Sequence, residues 1–272
     1  MRLQEYLDNK SITASQFANQ IGRAVSTVTR IAKGQATPEP ETMAKIVAAT
    51  GGAVQPNDLF LSAMQFDGEG DPAETVRAYE IPEEEFFRAQ IYGLLAQVLR
   101  APPNRRLLDA AAFLSGDDSE LGRAIGALAS AAGAISVASA VTEYNALFIG
   151  IGRGELVPYG SYYLTGFLNE KPLAVLRDDL ARLGIARSDG TREPEDHVAA
   201  LCEVMAGLIA GRFDASHDLP TQRRFHAVHL RPWASRFFVD LEKAASANLY
   251  RPIGTIGRLF MGIEEAAFGM EQ

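Results

Sequence analysis

The chain has 272 residues, of which 47% are hydrophobic and 22% charged, and its formal net charge is -8. Length and composition allow one large or two ordinary domains with a sizeable core and exclude global disorder. The negative balance argues against broad nucleic-acid affinity. It is uneven, however: residues 1–60 hold six Lys/Arg against five Asp/Glu, so only that segment is electrostatically permissive for DNA.

From Leu3 to Phe60 the pattern is one of short helices. Leu3, Tyr6 and Leu7 form a first apolar face, and Thr13 can cap a second helix through Gln16, Phe17, Ala18 and Ile21. Gly22 turns the chain into a third helix through Ser26, Val28, Thr29, Arg30 and Ile31, ending at Gly34; Pro38 and Pro40 precede a fourth that buries Met43, Ile46 and Val47. The frame from Thr13 to Gly34 resembles the Cro/C1-type helix-turn-helix domains of phage repressors. The resemblance implies a small five-helix domain over residues 1–60, with operator DNA as a partner and Gln16, Val25, Ser26, Thr29 and Arg30 as the contacting residues. Ala24 stands where a Ser cap is common, and Val25 where a polar or basic reader is common. The alternative is a helical module that keeps this shape for protein binding or dimerisation, and a homodimer suits either reading.

Residues 61–82 are acidic and contain the breaker cluster Gly68-Glu-Gly-Asp-Pro72, which predicts a linker. Helical patterning returns at Glu83, where Phe86, Phe87, Ile91, Leu94, Leu95, Val98 and Leu99 form an apolar stripe that Pro102-Pro103 ends. Further helices are predicted at 105–114, 119–132, 135–149, 171–183, 194–211, 221–229, 232–247 and 252–268, with no alternating strands. Residues 83–272 therefore read as a second, larger all-helical domain. The uncharged run Ala124 to Val141 is mostly Ala, Ser and Gly, too weakly apolar for a membrane span, and Gly133 is expected to split it. The first residues lack the apolar core of a secretory signal, and the one cysteine, Cys202, falls in an apolar run, so no intrachain disulfide is possible and a reducing cytoplasm is expected.

Arg192-Glu193-Pro194-Glu195-Asp196-His197 precedes the long quiet run Val198 to Gly211, whose single charge is Glu203. Pro194 suits a first helical turn, and Glu195 and Asp196 would lie at the positive end of the helix dipole. Acids and a histidine at the mouth of a buried helix can hold a cationic partner, or can simply cap the helix. Gly150-Ile-Gly-Arg-Gly154 has neither a preceding strand nor a following Lys-Ser/Thr, so it reads as a loop and not as a phosphate cradle.

Three stretches occur in order: Glu143-Tyr-Asn-Ala-Leu-Phe148 leading to Pro158-Tyr-Gly-Ser-Tyr-Tyr163, then Glu193-Pro-Glu-Asp-His197, then His229-Leu-Arg-Pro-Trp233. Together they resemble the TorD/DmsD family of cytoplasmic chaperones for molybdenum-containing redox enzymes, over about residues 83–272. Gly160 departs from the Glu often found in that segment of the family. The resemblance implies binding of the apo catalytic subunit or its twin-arginine signal peptide. Glu195, Asp196 and His197 would form the polar end of the peptide site and Tyr144, Leu147 and Phe148 the apolar end. Guanidinium groups pair bidentately with carboxylates, and an apolar segment gains by leaving water. His229 to Trp233 reads as structural, with Trp233, Phe237 and Leu241 a buried stripe. His226 and His229 are spaced i, i+3 but have no paired acid in register, so no metal is expected, and no cofactor. No Walker loop or triad is present and an enzyme is not expected. The alternative function is a transcriptional regulator whose larger domain senses a client or ligand.

Overall fold

The computed structural model describes residues 1–33, 36, 38–55, 58–59, 82–150, 153–186, 193–213 and 218–270. Its described elements are helices, and the extended pairing found among the described residues is an isolated antiparallel bridge between Tyr159 and His197. The fold is all-α, as the sequence predicts. No single helix among the described residues is long and apolar enough to cross a membrane. Contacts divide the chain into two compact units: Met1–Asp67 with Asn104–Val137, and Gly68–Pro103 with Ala138–Gln272. The predicted linker falls almost wholly outside the described residues, and residues 104–137 group with the first unit.

In the first unit, α1 (Leu3–Asn9), α2 (Ala14–Ile21), α3 (Val25–Ala32) and α4 (Pro40–Ala49) are the helices delimited before residue 50. Leu3, Leu7, Phe17, Ala18, Ile21, Val28, Ile31, Met43 and Ile46 are buried together, the apolar positions that helical spacing selects. Thr13 and Gln16 make a capping box at the start of α2. Gly22 ends that helix at φ 63, a conformation that costs a side-chain-bearing residue. Arg23 ties the α3 end of this turn to α4, donating to Thr42 Oγ1 at 2.8 Å and pairing with Glu41 at 2.9 Å. The same unit holds the hairpin of α6 (Arg105–Ala112) and α7 (Glu120–Ala134), capped by Asn104 and Ser119. Gly133 does not split the Ala-rich run. It lies inside α7, and the break comes at Ile135, whose backbone is extended. A Cβ on Gly133 would sit in ordinary contact, 3.6 Å from Ala112 of α6.

The second unit contains α5 (Glu83–Arg100), α8 (Val137–Tyr144), α9 (Gly160–Thr165), α10 (Lys171–Arg182), α11 (Val198–Ile209), α12 (Leu219–Phe225), α13 (Ala234–Lys243) and α14 (Tyr250–Met270). Asn145–Ile149 and His226–Leu230 form π turns after α8 and α12. The core is built by α5 on α11 and by α13 on α14. On α5 the predicted stripe is buried from Ile91 to Leu99, whereas Phe87 is 43% exposed. Cys202 is fully buried, as the quiet run predicts, and Glu203 pairs with Arg100. Gly254 and Gly257 let α14 approach α13 closely: a Cβ on Gly257 would lie 2.1 Å from the Phe238 ring.

Two buried acids hold this unit together across long sequence separations. Glu264 on α14 is fully buried and accepts from Arg88 on α5 at 2.7 and 2.8 Å and from the Tyr92 hydroxyl at 3.1 Å. Glu143 on α8 accepts the backbone N–H groups of Asn248, Leu249 and Tyr250, at 2.7, 3.1 and 2.9 Å, and so caps α14 from another helix.

Candidate functional site

Two extended segments meet in the second unit. Val198 N–H donates to the Pro158 carbonyl and Gly160 N–H to the Asp196 carbonyl, both at 2.9 Å, so the Pro158 to Ser161 and Glu193 to His197 motifs form one structure. Asp196 does more than extend the pairing: its Oδ2 accepts Ser161 N–H at 2.7 Å and caps α9. This pairing explains why the helix predicted from Pro194 starts at Val198. Backbone bonds to Gly160 and Pro158 hold Asp196 to Val198 where an earlier helical start would lose them. The N-cap is His197, whose Nδ1 accepts Ala199 N–H at 3.1 Å.

The acids of the motif have separate partners. Glu193 accepts from the Tyr159 hydroxyl. Glu195 takes Arg177 Nε and Nη2 on one oxygen, at 3.0 and 2.8 Å. Asp196 is 3% exposed, and its Oδ1 has no hydrogen-bond partner among the described residues; the same is true of Ser161 Oγ. His197 is buried as well, against the Tyr159 ring at 5.0 Å. Burial pushes its pKa down to about 4 against the opposing pull of Glu193 and Asp196, so the ring is neutral near pH 7 and free to accept. Asp196 and His197 are therefore both buried, and His197 caps α11, as the capping alternative expects.

The expected apolar end divides. Tyr144 and Leu147 are core residues, 5% and 0% exposed, with the Tyr144 hydroxyl donating to the Leu99 carbonyl at 3.3 Å. Phe148 is half-buried, its ring 5.0 Å from Tyr144 and 5.4 Å from Tyr250, and Ile149 beside it is 58% exposed. The π turn carries one residue more than an α turn and turns Phe148 and Ile149 outward. Tyr144 is near enough to the motif that Glu193 adds to burial in raising its phenol to about 12.

Asp196 itself lines a different hollow, of about 130 Å³, walled by Leu164, Val175, Leu176, Val228 and Trp233. The second π turn presents Val228 and His229 to it. Trp233 is fixed by its Nε1 donating to the His229 carbonyl at 2.7 Å, and His229 Nε2 lies 3.0 Å from Asp179 Oδ2. Gly160 completes the wall: a Cβ there would lie 3.0 Å from Trp233 Nε1, so the indole fills the space of any larger side chain. Trp233 is buried with Phe237 and Leu241, as predicted, although it precedes α13, which begins at Ala234 and not at Pro232. Sequence reasoning missed this hollow because its lining comes from four separate stretches, one of them the short helix α9 inside an apparent loop.

In the first unit, Val25, Ser26 and Arg30 are exposed on α3. Thr29 is half-buried and donates to the Val25 carbonyl at 2.9 Å. Gln16 is exposed, but its Oε1 accepts from Thr13 N–H and Oγ1, both at 2.9 Å, so that oxygen serves the cap of α2.

Residues 115–239 match the family described as nitrate reductase delta subunit. The TorD chaperone of Vibrio cholerae (strain O395) is 27% identical over 126 residues, 44% of this chain and 57% of that protein. A DmsD Tat proofreading chaperone of Haemophilus influenzae is 30% identical over 116 residues, 42% and 54% of the two chains. A crystal structure of a redox enzyme maturation protein from Archaeoglobus fulgidus is similar over 65% of this chain and 93% of that one, at 19% identity and a TM-score of 0.45. The chain spans a little over half the length of the curated relatives it matches. The matched stretch is thus similar to the TorD/DmsD chaperones, as the ordered motifs predict.

Proposed function

We propose that the chain is a cytoplasmic chaperone that binds the apo catalytic subunit of a molybdenum-containing oxidoreductase, or its twin-arginine signal peptide, and assists cofactor insertion. The carrying observation is that the Pro158 and Glu193 motifs pair through their backbones and enclose a buried carboxylate beside apolar walls, in the stretch that resembles TorD and DmsD. Glu195, Asp196 and His197 supply the polar end, while Tyr144, Leu147 and Phe148 position or contact the apolar segment. A pulldown from native cytoplasm identifies the client, and titration calorimetry with its signal peptide tests the site. Asp196→Asn and Phe148→Ala are each expected to weaken binding about tenfold, roughly 1.4 kcal/mol. Unchanged affinity in both would remove the assignment of these residues.

A second reading concerns the first unit, where the turn at Gly22 leaves Val25, Ser26 and Arg30 of α3 exposed on a fixed frame. This arrangement supports operator binding, with client occupancy of the second unit controlling it. Anisotropy titrations of promoter fragments from the native locus are expected to show binding that weakens steeply with salt and is lost in Arg30→Ala. Failure of every such fragment to bind at low salt would reject it.

A further inference from the structure

Leu164 at the end of α9, Phe167 and Leu168 on the turn that follows, and Val175 on α10 are 44%, 69%, 46% and 49% exposed. Leu164 and Val175 border the same hollow as Val228, itself 42% exposed, so these side chains form one surface and are not scattered singly. Thr165 holds the turn: its Oγ1 accepts Phe167 N–H at 3.2 Å and donates to the Ser161 carbonyl at 2.8 Å. A contiguous apolar surface on a fixed frame is costly to leave in water and marks a contact. Behind it, α10 buries Leu173, Leu176 and Leu180 and turns Lys171, Val175, Asp178 and Arg182 outward, at the i, i+4, i+7 and i+11 spacing of a single stripe.

The charges along this stripe select the occupant. Glu170 and Lys171 stand at its N-terminal end and Asp178 and Arg182 toward its C-terminal end, so a partner of one sign meets like charge at either end. Glu170, Lys171 and Asp178 form no ion pair among the described residues. An antiparallel copy of α10 complements all four charges. With a two-fold axis at Val175, Lys171, four residues before it, faces the partner's Asp178, three after; Glu170, five before, comes within reach of the partner's Arg182, seven after. Arg182 also pairs with Asp179 through Nη1, and its guanidinium has further donors. We propose that this face is an isologous interface between two copies of the chain, with α10 antiparallel to the partner's α10 across Val175 and with Leu164, Phe167 and Leu168 packed against the partner. The apolar side chains supply the affinity. The charges fix the register, because exposed ion pairs add little stability whereas like charges oppose wrong pairings. The inference stands apart from the chaperone reading and needs no client.

Sedimentation velocity of the full-length protein over a range of concentrations reads the association. The wild type is expected to exchange between monomer and dimer as concentration rises. Phe167→Ser, which removes apolar surface, and Val175→Lys, which sets two ammonium groups on the axis, are each expected to raise the dimer dissociation constant at least tenfold. Lys171→Glu and Asp178→Lys, each alone, create two like-charge contacts per dimer and are expected to raise it about fivefold. Mixed in equal amounts, these two variants face each other with opposite charges and are expected to associate as tightly as the wild type, which a folding defect in either would prevent. A wild type that stays monomeric at every concentration overturns the proposal. So does a dimer unaltered by Phe167→Ser and Val175→Lys, which would place the contact on another surface such as the first unit. A mixture no tighter than its components removes the antiparallel register and overturns it too. A monomeric wild type whose capture of a redox-enzyme subunit is weakened by Phe167→Ser would assign the face to the client instead.

Discussion

Arg88→Met is expected to destabilise the second unit by about 3–5 kcal/mol, because it leaves the fully buried Glu264 carboxylate without its guanidinium. The Tyr92 hydroxyl, 3.1 Å away, cannot balance a charge, and Gln222, which also accepts from Arg88 at 3.1 Å, loses a donor as well. Much of the expected loss belongs to the stranded acid and not to the pair itself. The double variant Arg88→Met/Glu264→Met should therefore recover most of it, since apolar groups of similar volume replace a buried ion pair at little net cost. Urea unfolding followed by Trp233 emission reads the second unit directly, with an unchanged m-value as the check that only stability moved. A double variant as unstable as the single one would show that the loss does not come from the stranded carboxylate.

Glu143→Ala is expected to cost on the order of 3 kcal/mol or more, because two buried N–H groups, of Leu249 and Tyr250, and the more exposed one of Asn248 lose their acceptor together. Glu143→Gln retains an oxygen for Asn248 and Tyr250 but turns an amino group toward Leu249 N–H, and should fall between. The local signature is faster hydrogen exchange at Leu249 and Tyr250. Unchanged protection of those amides in Glu143→Ala would mean that α14 is capped by some other group. Since Tyr250 packs on Tyr144 and Phe148, this acid also fixes the aromatic cluster beside the proposed peptide site. The first residue of the Glu143 to Phe148 motif is thus a strut, whatever its last residue touches.

Much of the fold is legible in the sequence because burial follows helical spacing. The stripe from Ile91 to Leu99, the run around Cys202 and the series Trp233, Phe237, Leu241 all reach the core where the pattern puts them. The misplaced boundaries share one cause: tertiary bonds outrank local preference. Pro194 is compatible with a helical start, yet the pairing of Asp196 and His197 with the 158–160 segment delays the helix to Val198. Gly133 carries the propensity of a breaker, but packing of α6 on α7 keeps the helix going past it.

The candidate site is legible in its residues and not in their roles. Glu193, Glu195 and Asp196 cluster in sequence, but nothing local says that one meets a tyrosine, one an arginine and one a backbone amide with an oxygen to spare. The two π turns are equally hidden, since one extra residue in a turn shifts which side chains face outward without changing composition. Leu147 and Phe148 are neighbours in the motif, yet one is core and the other half-exposed.

The bond between Arg88 and Glu264 also sets a timetable. The two residues are 176 positions apart, so during synthesis α5 emerges with its apolar stripe and its guanidinium long before the partner acid exists. Until α14 leaves the ribosome the second unit lacks the contact that closes it, and the surfaces of α5 and α11 must wait or be shielded. A protein proposed to hold unfinished clients is, by this topology, itself among the nascent chains that complete their fold late.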